Sequence, residues 1–152
     1  MNLVELRDRF TQGFLAGLVA GIIMNILDYI SHLLGITELT FIDWGGAIIF
    51  GYRPGTVSEH ILALSAQLFF ASILGVFFVY LIPAIKSKNI LFKAWAFGLA
   101  SWFSIYGLSL LLNLKDLMPI RSDTAMSDVV NASIYGIILG YIVRYLNHRI
   151  KT

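Results

Sequence analysis

Four long apolar stretches set the strongest limit on what this chain can fold into. They cover residues 13–34, 61–82, 94–113 and 127–146, and each is close to the roughly 20 apolar residues that a helix needs to cross a bilayer. The fourth is the weakest, because only Val129 to Val143 is free of charge, although Asp128 and Arg144 can reach toward the headgroups. Only 13% of the residues are charged, against about 25% in a soluble domain. We therefore predict one all-α domain over residues 1–152, an integral membrane four-helix bundle.

The distribution of lysine and arginine predicts how the helices are threaded. If the N-terminus lies inside, the outer loops hold three of these residues, namely Arg53, Lys115 and Arg121. The inner side then holds eight: Arg7, Arg9, Lys86, Lys88, Lys93, Arg144, Arg149 and Lys151. Positive charge accumulates on the cytoplasmic side of membrane proteins. We therefore expect both termini in the cytoplasm.

Two apolar stretches share a sequence pattern that suggests an internal repeat. The second contains ILGVFFVYL and the fourth ILGYIVRYL, so both read I-L-G-x4-Y-L. When Gly17 of the first stretch is laid on Gly98 of the third, Asp28 falls on Ser109 and His32 on Asn113. Apolar sequence of low complexity also produces such matches by chance. If the repeat is real, the bundle consists of two parallel copies of a helical hairpin.

The segment LTFIDWGGAIIFGYRPG, residues 39–55, lies between the first two stretches and is too short to span. Its aromatic residues Phe41, Trp44, Phe50 and Tyr52 are of the kind that lies at headgroup depth. We predict an outer interfacial or partly re-entrant segment. It is either a surface loop anchored by aromatic residues or a lid over an outward-facing cavity.

The short basic connection AIKSKNILFK predicts that the second and third spanning helices are neighbours.

Small residues recur at helical spacing and predict where the helices touch. The first stretch reads G-x3-G-x3-G, and the fourth contains G-x3-G. Such stripes allow two helix backbones to approach closely inside a membrane. The predicted packing positions are Gly13, Gly17, Gly21, Gly75, Gly98, Gly136 and Gly140.

Polar side chains continue these stripes near the predicted outer ends of the helices. At 100° per residue, Asp28 lies about 20° from Gly17 around the axis, and His32 about 40° from Asp28. Asp28 therefore faces protein, about 22 Å from the start of the span and in its outer third. The candidates for a pocket or an ion site are Asp28, His32, Glu59, His60, Gln67, Asn113, Asp128 and Asn131. They either bind a proton or a cation or only fix the register of the helices.

Several function classes find no support in the sequence. The absence of cysteine excludes disulfides and thiolate zinc sites. The net charge of +2 is too small to suggest nucleic-acid binding. Protease, nucleophile-elbow and phosphate-loop motifs are absent, so we expect no enzyme activity and no cofactor. Acidic and histidine side chains can ligate a divalent cation, but their spacing is generic, so metal binding stays open.

Several of these segments together resemble a known group of proteins. They are the glycine-rich first helix, FIDWGGAIIFG, KSKNILFKAWAFGLASW and the terminal ASIYGIILGY. They resemble the small four-helix membrane proteins of Gram-positive bacteria known as YqhR-like proteins, and more distantly the YagU-like inner-membrane proteins. This resemblance implies four spans and a bacterial plasma membrane. It carries no activity and no site residue over to this chain.

Two functional hypotheses follow. The first is a transporter or channel-like component with an acidic outward-facing pocket for a cation, a proton or a small solute. The alternative is a non-catalytic scaffold or accessory subunit of a membrane complex, in which the polar residues are structural. Four helices form a thin bundle in the lipid bilayer, so we expect a homo-oligomer or a partner membrane subunit in either case.

Overall fold

The computed structural model describes residues 8–86 and 88–149, and these are almost entirely helical. The helices are α1 (Arg9–Leu33), α2 (Phe41–Phe50), α3 (Val57–Leu81), α4 (Ile90–Leu111) and α5 (Ser122–Arg149). Short 3-10 turns follow α3 at Ile82–Ala84 and precede α5 at Lys115–Leu117. No strand occurs among the described residues. The all-α class is confirmed.

Among the described residues, four helices are long and apolar enough to cross a membrane, which supports a multi-pass membrane protein. These candidate spans are Arg9–Leu33, Val57–Ala84, Ile90–Leu111 and Ser122–Asn147. The remaining helix, α2, has only 10 residues. It occupies the predicted outer segment and cannot span.

Helix ends are set by polar capping residues that hydropathy does not detect. The predicted second span begins at residue 61, but α3 begins at Val57. The Thr56 hydroxyl accepts a hydrogen bond from the backbone N–H of Glu59, and the Glu59 carboxylate accepts one from the backbone N–H of Thr56, which forms a capping box. The same device at Thr40 and Asp43 begins α2. These caps add a polar first turn to an otherwise apolar helix.

The helices form two antiparallel hairpins, each closed by glycine. In the first, a Cβ on Gly17 would lie 2.5 Å from the carbonyl oxygen of Ala71, so α1 and α3 touch backbone to backbone. In the second, Gly98 of α4 lies against Ala132 and Gly136 of α5. The other predicted packing glycines, Gly13, Gly21, Gly75 and Gly140, also lie at helix contacts within these two hairpins.

The two hairpins join along α1 and α5. Ser31 and Ser127 share a hydrogen bond of 2.9 Å, and Tyr135 donates one of 2.6 Å to the carbonyl oxygen of Ala71 on α3. Since α1 and α5 are antiparallel, α1 begins and α5 ends at the same end of the bundle. We call this the terminal end, and the opposite end, which carries α2, the α2 end.

Helices α3 and α4 are neighbours at the terminal end, but a cavity separates them farther along. Phe78 and Phe97 pack with ring centroids 5.4 Å apart. Lys93 is buried and donates to the carbonyl oxygens of Ile82, at 3.0 Å, and of Ile85, where α3 ends. The predicted neighbour relation therefore holds over only part of these helices, and toward the α2 end their facing surfaces line the cavity described below.

Candidate functional site

A buried polar cluster lies at the α2 end, made of Asp28, Tyr106, Asp128 and Asn131. Asp28 is 1% exposed, and its Oδ2 accepts a hydrogen bond of 2.7 Å from the backbone N–H of Phe41. Its Oδ1 lies 3.4 Å from the donating Nδ2 of Asn131 on α5. A single side chain of α1 therefore holds both α2 and α5.

The second buried carboxylate of the cluster has a different partner. Asp128 is 1% exposed, and its Oδ2 accepts a hydrogen bond of 2.6 Å from the hydroxyl of Tyr106 on α4. Hydrogen bonds to charged acceptors are short and strong. This bond joins α4 to α5 at the level where Asp28 joins α1 to α2.

The position of Asp28 suits the start of a helix. Phe41 is the first residue of α2, and the first N–H groups of a helix have no partner within it. The N-terminus also carries a partial positive charge that favours a nearby carboxylate. Asp28 therefore supplies an acceptor to one of these N–H groups.

The predicted candidate site is only partly assembled. The structure brings Asp28, Asp128 and Asn131 together in the polar cluster. It places His32 on the exposed surface, where Nδ1 lies 3.0 Å from the carbonyl oxygen of Thr37. Asn113 is exposed and follows α4 with a φ of 52°. Neither of these two residues contributes to the cluster.

Glu59 and His60 serve the first turn of α3. Glu59 accepts hydrogen bonds from the backbone N–H of Gly55 at 2.8 Å and from the hydroxyl of Tyr52 at 2.9 Å. The bond to the Glu59 carboxylate raises the pKa of the Tyr52 phenol above its ordinary value. His60 is exposed, with Nδ1 2.8 Å from the carbonyl oxygen of Thr56. Within the described residues, no group of three acidic or histidine side chains is placed to hold a metal ion.

The last predicted residue, Gln67, lines a cavity of about 480 Å³ between α3 and α4. One end of this cavity is covered by α2, and Ala132 and Tyr135 of α5 lie at its floor. The wall is mostly apolar and aromatic, with Ile48, Phe70, Leu74, Trp44, Trp102 and Tyr106 among its residues. The cavity thus runs beside the polar cluster, which it meets at Tyr106.

Three aromatic rings form the wall of the cavity at the α2 end. Tyr106 packs against Trp44 and Trp102, with centroid distances of 5.0 and 4.9 Å. Trp44 is predicted at headgroup depth but is only 4% exposed, because α2 packs into the bundle through Gly45 against Ala63. The indole of this residue therefore packs against protein, and its depth in the membrane stays a prediction.

The polar groups on the cavity wall differ in whether they are already bonded. Ser101 and Ser109 donate to carbonyl oxygens of their own helix, at 2.9 and 2.8 Å. The indole N–H of Trp44 is buried and has no partner among the described residues. Sequence reasoning missed both Trp44 and Tyr106 as site residues. A signal existed for Tyr106, which lies one turn before Ser109 on the polar side of its helix.

Comparison with known proteins identifies no relative of this chain. No family model, no curated protein and no solved structure matches the chain. Function is therefore inferred from geometry alone. That geometry consists of a bonded polar cluster and, beside it, an apolar cavity between two spanning helices.

Proposed function

We propose that this protein takes up a lipid-soluble solute from the bilayer into the cavity between α3 and α4, as a carrier or a binding component of a transport system. The observation that carries the proposal is the cavity itself, about 480 Å³ in volume and lined by apolar and aromatic side chains. Binding sites for small molecules commonly have about 300–1,000 Å³ and such a lining. Because α3 and α4 are both spanning helices, the solute would enter from the side, through the lipid.

The polar cluster is better suited to a structural role beside this cavity. The two buried carboxyl groups, Asp28 and Asp128, favour transport of a cation or a proton as a second candidate function. Such a carrier needs carboxylates that can exchange their hydrogen-bond partners. Both oxygens of Asp28 and the Oδ2 of Asp128 already accept hydrogen bonds, from Phe41, Asn131 and Tyr106 respectively. We therefore assign the cluster to docking α2 over the cavity and expect no catalysis.

We further infer the cellular setting from the charge distribution and from the resemblance to YqhR-like and YagU-like proteins. Both termini face the cytoplasm, and the protein lies in a bacterial plasma membrane with its α2 end outward. Helix α4 is the least buried of the four spanning helices. It is therefore the helix that a second copy or a partner subunit would cover.

A photolabelling experiment tests the proposed uptake. The purified protein in lipid nanodiscs is irradiated with a small trifluoromethylphenyl diazirine, and labelled peptides are mapped by mass spectrometry. We expect labelling of cavity residues that an excess of a non-photoactive analogue suppresses. Ala66 lines the cavity, so Ala66→Phe occupies part of it and reduces this labelling. Ala100→Phe, on the exposed surface of α4, leaves it unchanged.

The proposal fails if labelling is spread over all lipid-facing surfaces and is not suppressed by the analogue. It also fails if Ala66→Phe, correctly folded by circular dichroism, labels at the same positions and to the same extent as the unaltered protein. Loss of cavity labelling in Ala100→Phe as well would show that the effect is not local to the cavity.

A further inference from the structure

We propose that a groove between α1 and α5 binds one phospholipid with a primary ammonium headgroup, taken from the leaflet on the α2 side. The groove has a volume of about 750 Å³ and runs from the surface of the α2 end into the spanning part of the bundle. Among the described residues, it shares no lining residue with the cavity between α3 and α4. The lipid site is therefore separate from the proposed solute site and does not depend on it.

Polarity along the groove changes in the order found along a phospholipid. Asp123 lies at the mouth, in the first turn of α5 and at the start of a candidate span, and so at headgroup level. Ser127 follows about 6 Å deeper, and Ser31 of α1 lies beside it. Below them the walls become apolar, with Val130 and Ile134 of α5 roughly 10 and 16 Å from Asp123. A charged headgroup, an ester and an acyl chain would meet matching surfaces in that order.

The mouth of the groove carries a charge pattern that suits a zwitterionic headgroup. Arg121 bonds Glu38 at 2.8 Å and Asp123 at 3.0 Å, so one cation lies between two carboxylates and the group has a net charge of −1. The three side chains are about half exposed, and each carboxylate keeps a second oxygen without a hydrogen bond within the described residues. A primary ammonium can donate to these oxygens, while Arg121 keeps N–H groups for the lipid phosphate. A choline headgroup has no N–H, and phosphatidylglycerol adds a negative charge without a cation.

The two serines of the groove supply a donor at the depth of the lipid ester. Other serines of the spanning helices, such as Ser109, donate to a carbonyl oxygen of their own helix. Ser31 and Ser127 are half-buried and share one hydrogen bond of 2.9 Å, so whichever hydroxyl donates, the other keeps its hydrogen. An ester carbonyl can accept it. The remaining polar residue of the wall, Asn131, donates to Asp28 and belongs to the polar cluster.

The charge of the mouth argues against a second copy of this chain as the occupant. Dimers are most often two-fold symmetric, and an axis along the membrane normal keeps equivalent residues at one depth. Docking through this groove would bring two mouths of net negative charge together at the same level. A zwitterionic lipid instead supplies a cation to the carboxylates.

Native mass spectrometry tests the headgroup preference. The purified protein in detergent micelles is mixed with equal amounts of phosphatidylethanolamine, phosphatidylcholine and phosphatidylglycerol that carry the same acyl chains. The complexes are resolved because the three headgroups differ in mass. We expect one phosphatidylethanolamine per chain, bound about two- to fivefold more tightly than either of the other lipids.

Two substitutions on one face of α5 show where the lipid binds. Val130 lines the groove and is 57% exposed, so Val130→Trp should obstruct its apolar part and weaken lipid binding. Ile137 is also exposed but lies two turns farther along α5, outside the groove. Ile137→Trp should therefore bind the lipid as the unaltered protein does. Circular dichroism shows whether both variants are folded.

A charge change at the mouth tests how the headgroup is recognised. Glu38→Gln together with Asp123→Asn leaves Arg121 as the only charge of the group, which changes from −1 to +1. We expect this double variant to lose the preference for phosphatidylethanolamine and to bind phosphatidylglycerol more tightly than before. Asp116 is exposed at the same end but does not line the groove. Asp116→Lys alters the total charge by the same amount and should keep the original preference.

Three outcomes would overturn the inference. The first is equal binding of the three lipids by the unaltered protein, or an unchanged preference in the double variant. The second is lipid binding that Val130→Trp and Ile137→Trp weaken equally, which would place the lipid elsewhere. The third is a lipid-free dimer that Val130→Trp separates into monomers, which would assign the groove to a second copy.

Discussion

The carboxylate of Asp28 on α1 lies 2.7 Å from the backbone nitrogen of Phe41 and accepts its hydrogen bond at the first turn of α2. An ionisable residue in an apolar spanning helix thereby fixes the position of a helix that cannot span. Helix α2 carries Trp44, which lines the cavity. The hydrogen bond between Asp28 and Phe41 therefore helps to set the shape of the cavity.

Replacing Asp28 by alanine should destabilise the fold and loosen α2 first. The change leaves the half-buried N–H of Phe41 without this acceptor, and a hydrogen bond to a charged group contributes roughly 1.5–3 kcal/mol. We expect Asp28→Ala to lower the free energy of unfolding by about that amount, measured by circular dichroism in mixed micelles. Hydrogen exchange should rise in α2 more than elsewhere.

Asp123→Asn provides the control for this change. Asp123 is exposed and pairs with Arg121 at 3.0 Å, and exposed ion pairs contribute about 0–1 kcal/mol. Equal losses of stability in Asp28→Ala and Asp123→Asn, or unchanged exchange in α2, would contradict the docking role of Asp28.

Tyr106→Phe should weaken the second half of the polar cluster while keeping the aromatic wall. The variant removes the hydroxyl that donates to Asp128 at 2.6 Å but retains the ring that packs on Trp44. We expect a loss of roughly 1.5–3 kcal/mol in the free energy of unfolding. Tyr141→Phe, at an exposed position of α5, should change stability very little. A double-mutant cycle with Asp128→Asn measures the coupling, and additive effects of the two changes would contradict the bond.

Two glycines offer a matched test of helix packing. A Cβ on Gly17 would meet the carbonyl oxygen of Ala71 at 2.5 Å, whereas a Cβ on Gly107 meets no atom within 4 Å. We expect Gly17→Ala to cost about 1–3 kcal/mol of stability through overpacking. Gly107→Ala should instead stabilise the protein by about 0.5–1 kcal/mol, because alanine loses less backbone entropy in a helix. Similar effects of the two substitutions would show that close approach at Gly17 is unimportant.

Hydropathy and helical periodicity predicted the parts of this fold that depend on side-chain type. The stripe through Gly17 placed Asp28 toward protein, and the structure buries it there. The partner of Asp28 could not be predicted. Almost every residue carries a backbone N–H, so the sequence does not show that the N–H of Phe41 is the donor. His32 lies four residues after Asp28, but it is in the last turn of α1, where the chain turns away and offers the carbonyl of Thr37.

The internal repeat stays a prediction, and the contacts refine how it would have to be aligned. Gly75 packs against Gly13, and the match of Gly17 to Gly98 lays Gly13 on Ala94. Ala94 contacts two glycines of α5: its side chain lies against Gly140, which I-L-G-x4-Y-L pairs with Gly75, and its carbonyl oxygen lies against Gly136, one turn earlier. The side-chain contact agrees with the sequence match, whereas the backbone contact is shifted from it by one turn.

The proposed topology predicts which end of the bundle is accessible from outside the cell. The chain has no cysteine, so single cysteines can be introduced without background labelling. Lys88 is exposed at the terminal end, in the connection between α3 and α4, and Asp116 is exposed at the α2 end, between α4 and α5. A membrane-impermeant maleimide should label Asp116→Cys in intact cells, and Lys88→Cys only after the cells are permeabilised. The reverse pattern would place the termini outside and contradict the charge argument.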